Sequence, residues 1–332
     1  MSVKKAELHV HLEGTITPNV AHQLAKRNQL IIPDGLIAPD GENYLSNDFL
    51  HFLGVYDTLA ALIKTPRDYY DITFDYLRAR ALEDAIYVEM MYSPDHAEQS
   101  TGIPSIEHLQ AIQQATDDAE AQFGIIGRIL VTAVRHFGED ACIGVAEEIT
   151  RRSVPCVVGF GLGGDEIHFP PKLFKRSFEI AHAAGLQCTA HAGEFAPASG
   201  VIEAIENLHI TRVGHGVQVF NSPDTISLLK ERGIALELCP SSNIKLGLFP
   251  DLKSHPFPKL LEAGLMVSLN SDDPPFMFTT LGEEYNRVQA AYDYSDETMT
   301  SITAMAIESA FVDEETKQKL RQKIKPDGVL AK

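Results

Sequence analysis

Short apolar runs alternate with amphipathic segments along the whole chain. The runs are rich in Val, Ile, Leu and aromatic residues, which is typical of buried strands. They lie at residues 6–11, 85–92, 125–134, 155–162, 186–191, 211–216, 234–239 and 265–270. Apolar positions at helical spacing fill the intervals between them, for example at residues 105–123, 170–185 and 222–233. The pattern therefore predicts eight strands with helices between them.

Glycines mark the ends of several predicted helices. Gly185, Gly233 and Gly264 each stand directly before a strand, where a helix commonly ends. Regular alternation of strands and helices predicts an α/β fold with a parallel sheet, and eight repeats predict a (β/α)₈ TIM barrel. The interval after strand 1 holds extra helices, one of them at residues 48–63. No linker divides the chain, so we expect one domain over residues 1–332.

Charge and cysteine content narrow the class of ligand and the compartment. The formal net charge of −18 disfavours nucleic acid and anionic membranes as partners, since both need clustered Lys and Arg. No apolar stretch approaches a membrane span in length. Widely spaced cysteines predict reduced thiols; these are Cys142, Cys156, Cys188 and Cys239. We expect a cytoplasmic protein with a small-molecule ligand, and the oligomeric state stays open.

The first predicted strand carries two histidines, His9 and His11, near its end. Successive side chains of a strand point to opposite faces, so the two imidazoles share one face. A single buried His is more often a hydrogen-bonded core residue, but a pair on one face is typical of metal ligands. In a TIM barrel, catalytic groups lie at the C-terminal ends of the strands. The ends of the other strands are therefore the places to look for further ligands.

Three other predicted strands end in residues that carry chemistry. His191 and Glu194 lie in TAHAGE after strand 5, His215 in VGHGV after strand 6, and Asp272 and Asp273 in SLNSDDPP after strand 8. Each has a structural interpretation: a turn donor for the histidine, solvated loop residues for the aspartates, a helix cap for the glutamate. Together with the first pair, they provide three imidazoles and a carboxylate for one Zn²⁺, and further groups for acid–base catalysis.

The motifs HVHLEG, HAGE, GHGV, CPSSN and NSDDPP, in this order, resemble those of the adenosine deaminase family of zinc-dependent purine deaminases. The resemblance extends from residue 4 to about residue 315. It implies that the zinc ligands are His9, His11, His191 and Asp272. Predicted strand 4 has no lysine that could bridge two metal ions, so we expect one Zn²⁺ per chain.

The same resemblance implies roles in the hydrolytic deamination of a 6-aminopurine. Glu194 would protonate purine N1, which requires that burial keep its carboxyl group protonated. His215 would lie beside the attacking water and either accept or stabilise its proton. Asp273 would contact N7, and the backbone N–H of Gly164, in GLGGDE after strand 4, would meet N3.

Other residues bear on the choice of purine. Phe49 and Phe52 lie at helical spacing in the segment 48–63, where either core packing or an apolar lid over the nucleoside explains them. We expect His11 and Glu13 near the substrate, because relatives place an acid like Glu13 near the 5′-hydroxyl. GLGGDE resembles the Gly-Asp-Glu of adenosine deaminases more than the Ser-Ser-Glu of adenine-specific relatives. We therefore expect adenosine or 2′-deoxyadenosine as the substrate.

One residue departs from the family pattern. Met91 stands where many adenosine deaminases carry an arginine, so we expect different packing at that side of the barrel. Adenine and modified adenosines, either of the aminodeoxyfutalosine type or N6-substituted, stay open as alternative substrates. A catalytically silent nucleoside-binding protein is an alternative of another class. It would lack a metal ligand or Glu194, and the chain has all of them.

Overall fold

The computed structural model describes residues 3–46 and 49–324. Eight strands, β1 to β8, form one sheet in chain order, and each strand pairs in parallel with the next. Their bounds are Lys5–His11, Ala85–Tyr92, Ile126–Val134, Val157–Gly163, Gln187–Ala192, Arg212–His215, Ala235–Leu238 and Val267–Leu269. All eight predicted strands are confirmed, with ends that differ by at most two residues.

The end of β1 meets the chain that follows β8. The N–H of His11 donates to the carbonyl of Asp272 at 2.9 Å, and the N–H of Asp272 donates to the carbonyl of His9 at 3.2 Å. One layer below, the N–H of Leu8 donates to Oδ1 of Asn270 at 2.8 Å. These contacts bring the two edges of the sheet together as a nearly closed barrel, so the predicted (β/α)₈ TIM barrel is confirmed.

Helices flank the barrel, and three of them lie between β1 and β2, where the sequence predicts extra helices. In order, α1 to α8 are Pro18–Asn28, Phe49–Ala60, Pro66–Leu82, Pro94–Thr101, Ser105–Phe123, Glu139–Arg151, Lys175–Ala183 and Ala198–Leu208. The later helices, α9 to α15, are Pro223–Arg232, Pro240–Lys245, Phe257–Glu262, Pro274–Met277, Leu281–Tyr292, Asp296–Ser309 and Glu314–Ile324. None of the helices in the described residues is long and apolar enough to cross a membrane.

Helix ends follow the predicted stops. Gly185, Gly233 and Gly264 have φ values of +83°, +64° and +79°, the left-handed conformation that ends a helix before the next strand. The predicted helix at 170–185 is shorter than expected. Its first turn, Pro171–Phe174, is a 3₁₀ helix, and α7 begins only at Lys175. Prolines are tolerated in the first turn of either kind of helix, so the pattern at residues 170–171 does not distinguish a 3₁₀ start from an α-helical one.

The interior of the barrel holds charge as well as apolar side chains. Arg212 is 1% exposed, and its guanidinium donates to Glu89 and Glu237, each at 2.6 Å. Met91 packs with Leu130 and Phe311 in a small apolar cluster at this level. All four cysteines are free and buried, as predicted. The buried carboxylate of Glu237 extends from this charged interior towards β1 and the ends of the strands.

Candidate active site

Four predicted ligands converge at the C-terminal end of the barrel. His9 and His11 end β1, His191 lies near the end of β5, and Asp272 follows β8. One potential ligand atom from each of the four lies within 4.8 Å of all the others. The parallel sheet thus brings together residues that are more than 250 positions apart in the sequence.

Hydrogen bonds turn two of these imidazoles towards a common centre. Nδ1 of His9 lies 2.8 Å from the carboxylate of Glu237, and Nδ1 of His191 lies 3.1 Å from the carbonyl of Leu162. Both partners are acceptors, so each ring carries its proton on Nδ1 and keeps the lone pair of Nε2 free. Nε2 of His9 is buried without a hydrogen-bond partner, 3.4 Å from Oδ1 of Asp272. A divalent metal ion fits this donor set.

A second grouping brings His215 and Cys239 to His9 and Asp272. Burial raises the pKa of the Cys239 thiol well above its usual value, and nearby carboxylates raise it further. The thiol lies 3.6 Å from the carbonyl of Glu237, to which it donates. The set of three histidines and one aspartate is the one that the strand-end residues predict, and its imidazole and carboxylate donors suit a divalent ion such as Zn²⁺.

The backbone at two of the strand ends is unusual. His215 has a φ of +58° and Asp272 a φ of +64°, the left-handed region that residues other than glycine rarely adopt. Such a residue costs on the order of 1–3 kcal/mol, and the cost is tolerated only where the surroundings hold it in place. Oγ of Ser242 donates to Oδ2 of Asp272 at 2.6 Å and helps to hold this carboxylate.

A second carboxylate holds the loop that carries Glu194. The side chain of Glu166, after β4, accepts backbone N–H groups of four successive residues after β5. The N–H groups of Gly193, Glu194 and Ala196 lie 2.8–2.9 Å from its oxygens, and the N–H of Phe195 also donates to it. The loop between β5 and α8 therefore has a fixed backbone, and the start of the Glu194 side chain is fixed with it.

The environment of Glu194 suits a proton donor. Its side chain is buried, and desolvation raises the pKa of its carboxyl group well above the usual value. The negative charge of Asp272 raises this pKa further. Nδ2 of Asn243 donates to Oε1 of Glu194 at 3.2 Å. The raised pKa favours the protonated carboxyl group, which a proton donor to a ring nitrogen requires.

Asp273 also has an unsatisfied polar atom. Its Oδ1 is buried without a hydrogen-bond partner, and burial together with the charge of Asp272 raises the pKa of this carboxyl group well above its usual value. A Cβ atom on Gly14 would lie 1.8 Å from Oδ1, so only glycine leaves room here. A protonated Asp273 can donate a hydrogen bond to an acceptor in the cavity, as the prediction for purine N7 requires.

A cavity of about 180 Å³ lies over these residues. Eight of the predicted site residues line it: His11, Phe52, Gly164, His191, Glu194, His215, Asp272 and Asp273. His9 is fully buried beneath it. The side chain of Phe49, at the start of α2, lies outside the described residues.

Comparison with known proteins identifies the family. The sequence model described as adenosine deaminase matches residues 4–326. This chain belongs to the adenosine deaminase family. The chain is 39% identical to an adenine deaminase from Rhizobium leguminosarum over 320 residues, which cover 96% of this chain and 98% of the relative. As a member of this family, the chain is a hydrolase that acts on carbon–nitrogen bonds, and its reaction is purine deamination.

Solved structures agree with this assignment. A crystal structure of adenine deaminase from Arthrobacter aurescens superposes with a TM-score of 0.89 at 29% identity, covering 97% of this chain and 98% of that one. An amidohydrolase from Burkholderia ambifaria with bound Zn superposes with a TM-score of 0.87 at 28% identity, covering 96% and 89%. The family is metal-dependent, and the four converging ligands of this member fit that property.

In this member of the family, α2 covers the cavity. Phe52 and Tyr56 of α2 both line it, and the ring of Phe52 stands perpendicular to that of Phe276 at 5.4 Å. The sequence offered core packing or a lid for this helix, and Phe52 does both, since it is only 6% exposed and still faces the cavity.

Glu13 lies one layer behind this cavity and is not among its lining residues. Tyr69 donates to its carboxyl group at 2.9 Å and Tyr56 at 3.4 Å. Burial raises the pKa of Glu13 above its usual value. Through these hydrogen bonds Glu13 holds Tyr56 in the cavity wall, and its contact with a substrate stays a prediction.

The outer end of the cavity carries polar residues that the sequence reasoning missed. Nε2 of His96 lies 3.0 Å from Oδ1 of Asp57, and both residues line the cavity beside His136. Nδ1 of His136 lies 2.8 Å from the position that a Cβ atom on Gly164 would take, so glycine permits this close approach. His96 follows β2 by four residues, so the rule that directed attention to other strand ends could have found it.

Proposed function

We propose that this protein is a zinc-dependent adenine deaminase, which converts adenine and water into hypoxanthine and ammonia. The small cavity carries this proposal. Its volume of about 180 Å³ is well below the roughly 300–1,000 Å³ of sites for drug-sized ligands, and it suits a free base better than a base with a sugar. Relatives named adenine deaminase support the same choice.

Adenosine, which the sequence motif GLGGDE favours, is the less supported substrate. That motif lies beside purine N3, an edge that adenine and adenosine share. It therefore carries little information about the sugar. The aminodeoxyfutalosine-type alternative also carries a sugar at N9, for which the cavity has little room. An N6-substituted adenine carries its extra atoms at the C6 amine instead, and the substrate panel below includes one.

The four predicted metal ligands would provide the nucleophile for the reaction. His9, His11, His191 and Asp272 would hold Zn²⁺, which when bound lowers the pKa of water from 15.7 to about 7 and so provides a nucleophile at neutral pH. Water adds at C6, and of its two protons one goes to the amino nitrogen while the other restores the carboxyl group of Glu194 after that group has protonated N1. The bond from C6 to the amino nitrogen then breaks, and ammonia leaves.

Two carboxyl groups orient and activate the ring. Glu194, protonated because it is buried, donates its proton to N1 as the ring loses aromaticity at C6. Asp273 donates a hydrogen bond to N7, and the N–H of Gly164 faces N3. With three edges engaged, the purine has one orientation, in which C6 faces the metal ligands.

In this orientation N9 points to the outer end of the cavity, towards Asp57, His96 and His136. Adenine has a hydrogen on N9, and the carboxylate of Asp57 is an acceptor. A nucleoside has no such hydrogen, and its ribose would have to displace the Asp57–His96 pair, whose atoms lie 3.0 Å apart. This end of the site therefore favours the free base.

A substrate panel tests the proposal. We expect kcat/KM for adenine to exceed that for adenosine by roughly 10²-fold or more, measured as release of ammonia from adenine, adenosine and 2′-deoxyadenosine and as release of methylamine from N6-methyladenine. Elemental analysis of the same preparation should find one equivalent of zinc. Higher kcat/KM for adenosine would overturn the choice of adenine, and a need for two metal equivalents would overturn the mononuclear site.

A further inference from the structure

A buried amide contacts both groups that handle protons in the site. Asn243, on α10, is fully buried. Its Nδ2 lies 3.2 Å from Oε1 of Glu194 and 3.3 Å from Nδ1 of His215. Its Oδ1 lies 3.1 Å from Nε2 of His255. The mechanism above uses neither Asn243 nor His255, although both are close to it.

One backbone N–H group determines which partner donates in each of these hydrogen bonds. The N–H of Phe257 can only donate, and it lies 3.2 Å from Nδ1 of His255. That nitrogen is therefore an acceptor, and the proton of the neutral ring is on Nε2. Burial lowers the pKa of His255 to about 3, which agrees with a neutral ring. Nε2–H then donates to Oδ1 of Asn243, so the amide nitrogen must face Glu194 and His215.

This orientation determines where two catalytic protons lie. One amide hydrogen goes to Oε1 of Glu194, which leaves the carboxylic proton for Oε2. The other goes to Nδ1 of His215. Because Nδ1 accepts, neutral His215 carries its proton on Nε2, the opposite edge of a ring that lines the cavity.

We propose that His255 and Asn243 are positioning residues that hold His215 in the Nε2–H tautomer and keep the acidic proton of Glu194 on Oε2. His215 then donates a hydrogen bond to the attacking oxygen and stabilises it, and does not accept its proton. The proposal holds for any 6-aminopurine, so it can fail while the choice of adenine stands, and the reverse.

Nitrogen NMR of the zinc-loaded protein tests the tautomer directly. Protonated and unprotonated ring nitrogens differ widely in ¹⁵N chemical shift, and signals missing from His215→Asn identify His215. We expect Nδ1 of His215 to be unprotonated and Nε2 to be protonated. Asn243→Leu keeps the approximate size and has no donor, so Nδ1 of His215 loses its hydrogen bond, and the proton should move to Nδ1, which lies 3.6 Å from Oε1 of Glu194. A protonated Nδ1 in the wild type, or an unchanged tautomer in Asn243→Leu, would overturn the proposal.

Kinetics of His255 variants provide a second readout. His255→Ala should lower kcat by about 10²-fold with little change in KM, because His255 does not touch the substrate. His255→Gln can accept from Phe257 and donate to Asn243, so it should restore most of kcat. His22→Ala, an exposed change on α1, is the matched control. If His255→Gln is as impaired as His255→Ala while both retain zinc, the hydrogen bonds are not what matters.

Discussion

At the scale of the residue, burial is the main reason why the pKa of the Glu194 carboxyl group is raised. A carboxyl group in water would be ionised at neutral pH and could not protonate a ring nitrogen. Desolvation and the neighbouring charge of Asp272 raise its pKa well above the usual value and keep the proton in place. The amide of Asn243 at 3.2 Å then orients the group. The pKa of Glu194 is thus set by burial and Asp272, whereas the orientation of its carboxyl group is set by Asn243.

Replacing Glu194 with Gln should separate acidity from shape. We expect Glu194→Gln to retain zinc and to lower kcat by roughly 10²- to 10⁴-fold, because the amide cannot donate a carboxylic proton. The wild-type kcat should also fall on the alkaline side as Glu194 ionises. Glu179→Gln, an exposed change on α7, is the control. Turnover near the wild-type value in Glu194→Gln would assign N1 protonation to another group.

At the scale of the element, the loops after β4 and β5 act as one unit. Glu166 belongs to the first loop and accepts four backbone N–H groups of the second. The first loop also contains Gly164, which is expected at N3, and the second contains Glu194, which is expected at N1. The distance between these two purine contacts therefore depends on one side chain that touches no substrate.

A change at Glu166 should loosen this unit. In Glu166→Gln, one acceptor oxygen becomes an NH₂ group that faces other N–H donors. We expect a loss of roughly 2–5 kcal/mol in the free energy of unfolding, because several charged hydrogen bonds weaken together. A fall in kcat of about 10²-fold should accompany it, since small displacements of catalytic groups have effects of this size. Thermal unfolding and ammonia release measure the two effects, with Glu203→Gln on α8 as the control.

Several features of these elements could be predicted from the sequence. Buried parallel strands are nearly continuous apolar runs, so their positions are readable without partners. The metal ligands and Glu194 could be found because strand ends in a barrel share one rim. The sequence did not reveal the roles of three residues, Asn243, His255 and Glu166. Their roles depend on contacts with residues that are distant in the sequence, and spacing along the chain does not show these contacts. The size of the cavity, on which the choice between adenine and adenosine depends, is likewise a property of the folded chain.

At the scale of the whole molecule, several carboxyl groups are buried without a cation close enough to keep them ionised. Burial raises the pKa of Glu7 and Glu13, and it raises the pKa of Glu284 to about 7. Glu284 of α13 accepts from Thr279 at 2.6 Å and from the N–H of Ser241 at 3.3 Å. These groups are protonated more readily in the folded state than in the unfolded state, so they link stability to pH.

Glu284 allows this linkage to be measured. Its carboxyl group has a pKa of about 7 in the folded protein and 4.5 as its ordinary value, so between these pH values the folded state binds more protons. Its stabilising contribution is complete below about pH 4.5 and is lost as the pH rises through 7, on the order of 3 kcal/mol. Glu284→Gln stays neutral, so its stability should gain on the wild type between pH 5 and pH 8, measured by urea unfolding. A constant difference across this range would contradict the raised pKa.

The left-handed backbone of His215 and Asp272 also affects how this enzyme can be engineered. Glycine or asparagine would adopt these conformations at lower cost, but neither could replace the imidazole or the carboxylate. At these two positions, a substitution that stabilises the backbone would therefore also abolish turnover. A laboratory selection for thermal resistance alone would enrich variants that are thermostable but catalytically inactive. Each round therefore has to measure ammonia release as well as thermal stability.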